Sequence, residues 1–100
     1  MAVVSKALAR AAAATTSTTL YTTPAGSTAV ITNIAITNTA TSASTFTILL
    51  NDISLATAVS IAASDTTILD MKQVLPASQT IKGSASTTAV NFHISGVEIS

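Results

Sequence analysis

The chain has 100 residues, of which only 8% are charged, and its four basic side chains balance its four acidic ones. Soluble domains usually carry roughly 25% charged residues, so this surface must be hydrated by hydroxyl groups or covered by other subunits. Thr, Ser and Ala make up about half of the chain, with 19, 13 and 19 residues. A neutral chain without a basic patch is poorly suited to a phosphate backbone, so we expect no nucleic-acid partner.

A chain of this length predicts one domain with a small core, because short chains bury a smaller share of their surface. Only 3% of the residues are aromatic, and the absence of Cys excludes disulfides and Cys-based zinc sites. Oligomerisation is then a common means of stabilisation. The apolar fraction is 48%, but every apolar run is far shorter than the roughly 20 residues that cross a membrane as a helix, so we expect no membrane partner.

Residues 1–14 differ from the rest of the chain and are rich in Ala. Ala favours helix, but an isolated helix this short is marginal in water. As an extended segment it would direct four side chains to one side, namely Val4, Lys6, Leu8 and Arg10. We predict an arm over residues 1–14 that docks on a neighbouring subunit. Because Arg10 interrupts the apolar stretch that a signal peptide needs, we expect synthesis in the cytoplasm.

From residue 15 onward β-branched Thr, Val and Ile dominate, and these residues favour strands over helices. Alternating apolar residues predict about seven short strands, at residues 16–23, 27–38, 44–50, 54–63, 66–75, 77–83 and 88–100. Turn-forming pairs such as Asn51-Asp52 and Ser64-Asp65 separate them. Regular spacing of this kind predicts an all-β domain over residues 15–100, a single antiparallel β-sandwich of jelly-roll type with the N-terminal arm outside it.

The strand at residues 27–38 carries apolar side chains on both faces. Strict alternation would put Thr32 and Ile34 on one face and Ile31 and Asn33 on the other. A strand with small or branched groups on both sides is typical of the interior of a sheet, so we predict that it is central.

The strand at residues 66–75 has one mixed face, formed by Ile68, Asp70 and Lys72. Its other face carries Leu69 and Met71, which predicts that the mixed face looks outward. In the last strand the apolar residues change parity after Gly96. We therefore predict a bulge at Gly96, because one inserted residue would return the final apolar side chains to the inner face.

The residues that catalysis requires are scarce, since the chain has one His, no Cys and four separated acidic residues. A lone His93 lacks the partners that catalytic or metal-binding roles need. The acidic residues lack the spacing of a calcium loop and suit turns better. Thr doublets such as Thr18-Thr19 put hydroxyls on both faces, so a flat ice-binding array is not favoured. We predict no catalytic, cofactor or metal site, and no enzyme.

Three segments carry recognisable motifs: TLYTTPAG at Thr19–Gly26, TFTI at Thr45–Ile48 and FHISGVEI at Phe92–Ile99. With these motifs, the chain resembles a family of small structural proteins encoded by tailed bacteriophages, and the resemblance covers most of its length. It implies a β-sandwich of the virion, either a head decoration or cement protein or a tail-associated one. It brings no catalytic residues.

From the resemblance and the composition we expect a capsid decoration protein that lies on the head surface of a virion. It would bind the major capsid protein as a homo-oligomer, with a trimer favoured, and stabilise the contacts between capsomers. The residues predicted to make these contacts are Val3, Val4, Lys6, Leu8, Arg10 and Tyr21. The alternative is a tail or tail-fibre protein that binds a host-surface glycan, for which Tyr21 is the candidate aromatic platform.

Overall fold

Two four-stranded antiparallel sheets pack against each other in the computed structural model, which describes residues 2–100. The eight strands are β1 (Val3–Ala12), β2 (Thr18–Thr22), β3 (Thr28–Asn38), β4 (Ser44–Leu50), β5 (Ile53–Ile61), β6 (Thr66–Leu75), β7 (Thr80–Ala85) and β8 (Val90–Ile99). Sheet 1 has the order β1-β8-β3-β6 and sheet 2 has the order β2-β7-β4-β5.

The pairing follows a long hairpin that has been rolled up. β1 pairs with β8, β2 with β7, β3 with β6 and β4 with β5, and two further antiparallel pairings join β3 to β8 and β4 to β7. Eight strands in two sheets with this nesting form a jelly roll. The predicted all-β sandwich of jelly-roll type is confirmed.

The hairpin folds back at Asn51-Asp52, between β4 and β5. Both residues are left-handed, with φ of 51° and 64°. Two consecutive left-handed residues form the type I′ turn, whose twist matches that of paired strands, and Asn and Asp tolerate this conformation. The turn predicted at this position is confirmed.

Most of the predicted N-terminal arm forms β1, the edge strand of sheet 1. Its pairing with β8 runs from Val3 opposite Ile99 to Ala12 opposite Asn91. Leu8 is buried in the core between the sheets. The segment therefore docks on its own domain, because hydrogen bonds to β8 satisfy the backbone groups that an extended arm would leave exposed to water.

β3 lies between β8 and β6, so its predicted central position is confirmed. The predicted strict alternation is wrong, because Thr32 is an extra residue opposite the continuous β8 pair Ser95 and Gly96. Such a bulge shifts the two-residue period by one. As a result, the fully buried side chains of β3 come from both predicted faces, namely Ala29, Ile31, Ile34, Ile36 and Asn38.

The bulge predicted at Gly96 is also wrong, because β8 runs without interruption and its neighbours contain the extra residues. Leu8 of β1 and Thr32 of β3 have no direct partner on β8. Gly96 itself faces inward, where an added Cβ would lie 2.2 Å from the carbonyl oxygen of Val30. The backbone of β3 approaches β8 so closely here that only glycine fits.

The core between the two sheets is built mainly from Ile and Phe. Its largest fully buried side chains are those of Phe46, Phe92, Ile31, Ile34, Ile36, Ile48, Ile61, Leu75, Ile81 and Ile94. With only two Phe in the core, most of the volume is filled by branched aliphatic groups, which pack well on pleated surfaces.

Candidate interaction site

The six residues predicted to make intermolecular contacts do not form one surface. Val3 and Val4 lie at the start of β1 and are 62% and 52% exposed. Leu8 is only 8% exposed, and its side chain belongs to the core. Leu8 therefore lies between the sheets, on the same face as Lys6, and is not part of an exposed contact surface.

The predicted row along β1 is divided by the bulge at Leu8. Lys6 pairs with the inward-facing Gly96, whereas Arg10 pairs with His93. His93 is exposed on the outer face of sheet 1, the face turned away from sheet 2. Residues directly opposite each other in an antiparallel pair share a face, so Lys6 and Arg10 point to opposite sides of the sheet. Their prediction on one side is wrong.

Lys6 and Tyr21 do come together, and Glu98 joins them. The Lys6 Nζ lies 3.2 Å from Glu98 Oε1, and the Tyr21 hydroxyl donates a hydrogen bond to Glu98 Oε2. This cluster links β1 and β8 of sheet 1 to β2 of sheet 2. Sequence reasoning missed Glu98 because Tyr21 and Glu98 are 77 positions apart, a separation that leaves no local pattern.

The cluster shifts the pKa of both titratable oxygen groups in opposite directions. Burial raises the pKa of the Tyr21 hydroxyl, and the hydrogen bond to Glu98 adds to the effect. The hydrogen bond from Tyr21 lowers the pKa of the Glu98 carboxyl, and Lys6 contributes in the same direction. Tyr21 is therefore a protonated donor tied to a carboxylate, and its ring is half-buried rather than offered as an open platform.

Replacing Glu98 with Gln is expected to remove a pH-dependent part of the stability. A carboxyl whose pKa is lowered on folding stabilises the protein above its unfolded pKa, and this contribution disappears as the pH falls through the folded pKa. Wild type should therefore exceed Glu98→Gln in free energy of unfolding at neutral pH, and the two should converge in acid. Urea unfolding across the acid range measures this difference.

Tyr21→Phe is the matched control, because it keeps the carboxylate and removes its main hydrogen-bond donor. This variant should show a weaker acid dependence than wild type. A constant difference between wild type and Glu98→Gln at every pH would contradict the assignment.

A second surface is apolar and lies at the opposite edge of the sandwich. We call it the β5–β6 side, and its exposed large apolar residues are Ile53, Leu55, Val59, Ile68 and Val74. β5 and β6 are the edge strands of their sheets. Nothing within residues 2–100 covers these side chains, so each sheet ends here in an exposed apolar edge.

An open cleft of about 230 Å³ lies on the β5–β6 side and is lined by Leu50, Ile53, Ser54, Leu55 and Gln73. None of these side chains titrates. The cleft can therefore accept an apolar group, and the Ser54 hydroxyl has no acid or base beside it among the lining residues.

Metal ligands are not brought together in the part of the chain that the structure describes. No group of three or more His, Cys, Asp or Glu side chains is placed to hold a metal ion. The same residues contain no helix of the length and apolarity needed to cross a bilayer. The sequence matches no protein-family model and no curated protein.

Proposed function

We propose that the protein is a structural, non-enzymatic component of a bacteriophage virion, a decoration protein on the surface of the head. It binds the major capsid protein as a homo-oligomer and stabilises the contacts between capsomers. The observation that supports this role is the exposure of large apolar side chains at two opposite edges of a nearly uncharged sandwich, Val3 and Val4 on one edge and the β5–β6 side on the other.

Two opposite apolar edges suit a protein that bridges neighbours. Complete burial of an exposed Val or Ile side chain contributes about 1.5–3 kcal/mol, so a few such contacts repeated over a shell give firm attachment. The jelly roll also serves in viral capsid proteins. Since one fold supports many functions, the fold argues for the proposal less strongly than the surface does.

The alternative role at a phage tail, with a host glycan as ligand, depends on Tyr21. Its hydroxyl is held by Glu98 and its ring is half-buried. Glycan sites usually present an open aromatic face on which the sugar stacks. The half-buried Tyr21 thus counts against the glycan-binding alternative.

Immunogold labelling of purified particles from cells that carry the gene tests the proposal. We expect label over the head, at many copies for each particle. Label at the tail would support the alternative, and absence of the protein from purified particles would exclude both roles.

Val3→Lys is expected to weaken attachment to particles about tenfold or more, since loss of one buried Val costs at least 1.4 kcal/mol of binding. Co-sedimentation of the added protein with particles that lack it measures the affinity. Ala12→Lys is the matched control, because Ala12 is exposed at the other end of the same strand. Deletion of the N-terminal segment is unsuitable, because it would remove Leu8 from the core. If the Val3→Lys variant bound to the particles at full occupancy, the β1 edge would not be the surface that attaches to them.

A further inference from the structure

β6 is an edge strand with an unpaired side. Its side chains alternate regularly, with Leu69 and Met71 half-buried and Ile68, Asp70, Lys72 and Val74 exposed. The other three edge strands each carry a feature that discourages further pairing. β1 contains the Leu8 bulge, β2 has only five residues, and β5 is interrupted by the left-handed Ala58. β6 has ten residues, and its register with β3 shifts where Met71 and Lys72 lie opposite Thr32. Its even-numbered side chains nevertheless stay exposed from Thr66 to Val74, so its open edge presents one continuous row.

The sequence of β6 is self-complementary about Met71. Asp70 and Lys72, which have opposite charges, lie one residue to either side of it. Ile68 and Val74 lie three residues to either side. These two apolar side chains are 60% and 61% exposed. Among residues 2–100 the salt bridges join Lys6 to Glu98 and Lys82 to Asp52, so Asp70 and Lys72 have no ion-pair partner within the described chain.

We infer that β6 binds the β6 strand of a second copy of this chain, antiparallel about a two-fold axis at Met71. Asp70 then lies opposite the partner's Lys72, and Ile68 lies opposite the partner's Val74. Each pair occurs twice because the contact is isologous. Sheet 1 becomes half of a continuous eight-stranded sheet, and cross-strand pairs of these types stabilise antiparallel strands.

The direction of the backbone groups agrees with this register. The Asn38 N–H donates to the carbonyl oxygen of Asp65 at 2.9 Å, so the odd-numbered residues at the start of β6 direct their backbone groups toward β3. The pairs with β3 are continuous from Thr66 to Asp70, so the even-numbered residues of this part direct theirs to the open edge. Asp70 is even-numbered, so its backbone groups face the open edge, where the proposed register places the partner's Lys72.

Other registers are less favourable. A shift of one residue would place the mixed face of one copy beside the inner face of the other. A two-fold axis at Asp70 would place this residue opposite the partner's Asp70, and an axis at Lys72 would place that residue opposite the partner's Lys72. Both arrangements bring like charges together. The axis at Met71 is the one near the middle of the strand that matches charge, apolar groups and backbone together.

A two-fold contact of this kind closes a dimer. A trimer closed by a three-fold axis needs a contact between two different surfaces, so the homotrimer expected from the sequence cannot be built from this edge. The β6 pairing does not require a virion role, and its test leaves that role open.

Charge reversal tests the pairing. We expect wild type to be a dimer by sedimentation velocity and native mass spectrometry. Asp70→Lys or Lys72→Asp alone places like charges opposite each other twice, so the dissociation constant should rise at least tenfold. The double variant Asp70→Lys with Lys72→Asp restores opposite charges and should dimerise again. Arg10→Asp changes the charge by the same amount on the β1 edge and should leave the dimer intact.

Mixing the two single variants gives the sharpest result. Each should be monomeric alone, with its fold checked by circular dichroism, and together they should form a one-to-one heterodimer, because every Lys then faces an Asp. Asp70→Lys mixed with Arg10→Asp should form no such heterodimer, which controls for general attraction between oppositely charged chains. A wild-type monomer, a wild-type trimer, or single variants that remain dimeric would each overturn the inference.

Discussion

Gly96→Ala is expected to lower the free energy of unfolding by about 3 kcal/mol, the upper part of the range for overpacked sites. The added Cβ would lie 2.2 Å from the Val30 carbonyl oxygen and 3.0 Å from Leu8 Cδ1. A side chain such as that of Leu8 can move, but the Val30 oxygen belongs to the backbone of β3. Relief would require β3 to separate from β8 in the middle of sheet 1. Urea unfolding followed by circular dichroism measures the loss.

Gly26→Ala separates this steric effect from the general cost of replacing glycine. Gly26 has a φ of +79°, and a Cβ there meets nothing within 4 Å. The cost should be about 1 kcal/mol, from backbone strain alone. If Gly96→Ala cost no more than Gly26→Ala, the close approach of β3 to β8 would not be the reason for glycine at position 96.

The strand pattern could be predicted because Thr, Val and Ile alternate over short distances. The predicted strands at residues 44–50 and 66–75 agree with β4 and β6 at both ends. The two bulges opposite β8 could not be placed from the sequence. The parity of the apolar residues changes after Gly96, which shows only that the pairing register changes near this position. Which strand takes the extra residue is decided by the packing of three neighbouring strands, information that a single strand does not contain.

Composition also misled the interpretation of residues 1–14. An Ala-rich segment with two basic residues has no clear two-residue period, so its pairing with β8 over almost its whole length was not predicted. Only some of the predicted contact residues lie on the surface. Val3 and Val4 are exposed, but Leu8 is in the core and Glu98 was missed. Long-range contacts decide all of these cases.

Asn38, at the end of β3, forms a buried polar link between the two sheets. Its side chain is completely buried. The Nδ2 group donates to the carbonyl oxygens of Ser42 at 2.9 Å, Ile61 at 3.3 Å and Ala62 at 3.3 Å, and Oδ1 accepts from the Ala40 N–H at 3.0 Å. One amide thus ties the loop after β3 to the end of β5, which lies in the other sheet.

Asn38→Ala is expected to cost about 3 kcal/mol in the free energy of unfolding, because buried backbone groups lose their partner and each costs about 1–3 kcal/mol when unpaired. Asn91→Ala is the control, since Asn91 lies on the outer face of β8 and is only half-buried. Its loss should stay within about 0.5 kcal/mol, as for other surface changes. Equal losses in urea unfolding would contradict a structural role for the buried amide.

Asn38→Asp tests the same link through pH. A carboxylate keeps the acceptor for the Ala40 N–H but places negative charge against three carbonyl oxygens. Burial and these oxygens would raise the pKa of the introduced carboxyl on folding. A carboxyl whose pKa is higher in the folded than in the unfolded protein lowers the stability as the pH rises above the unfolded pKa. The variant should therefore be least stable at neutral pH and recover in acid, where the protonated carboxyl donates one hydrogen bond. Equal loss at both pH values would mean that the carbonyl oxygens do not face this side chain.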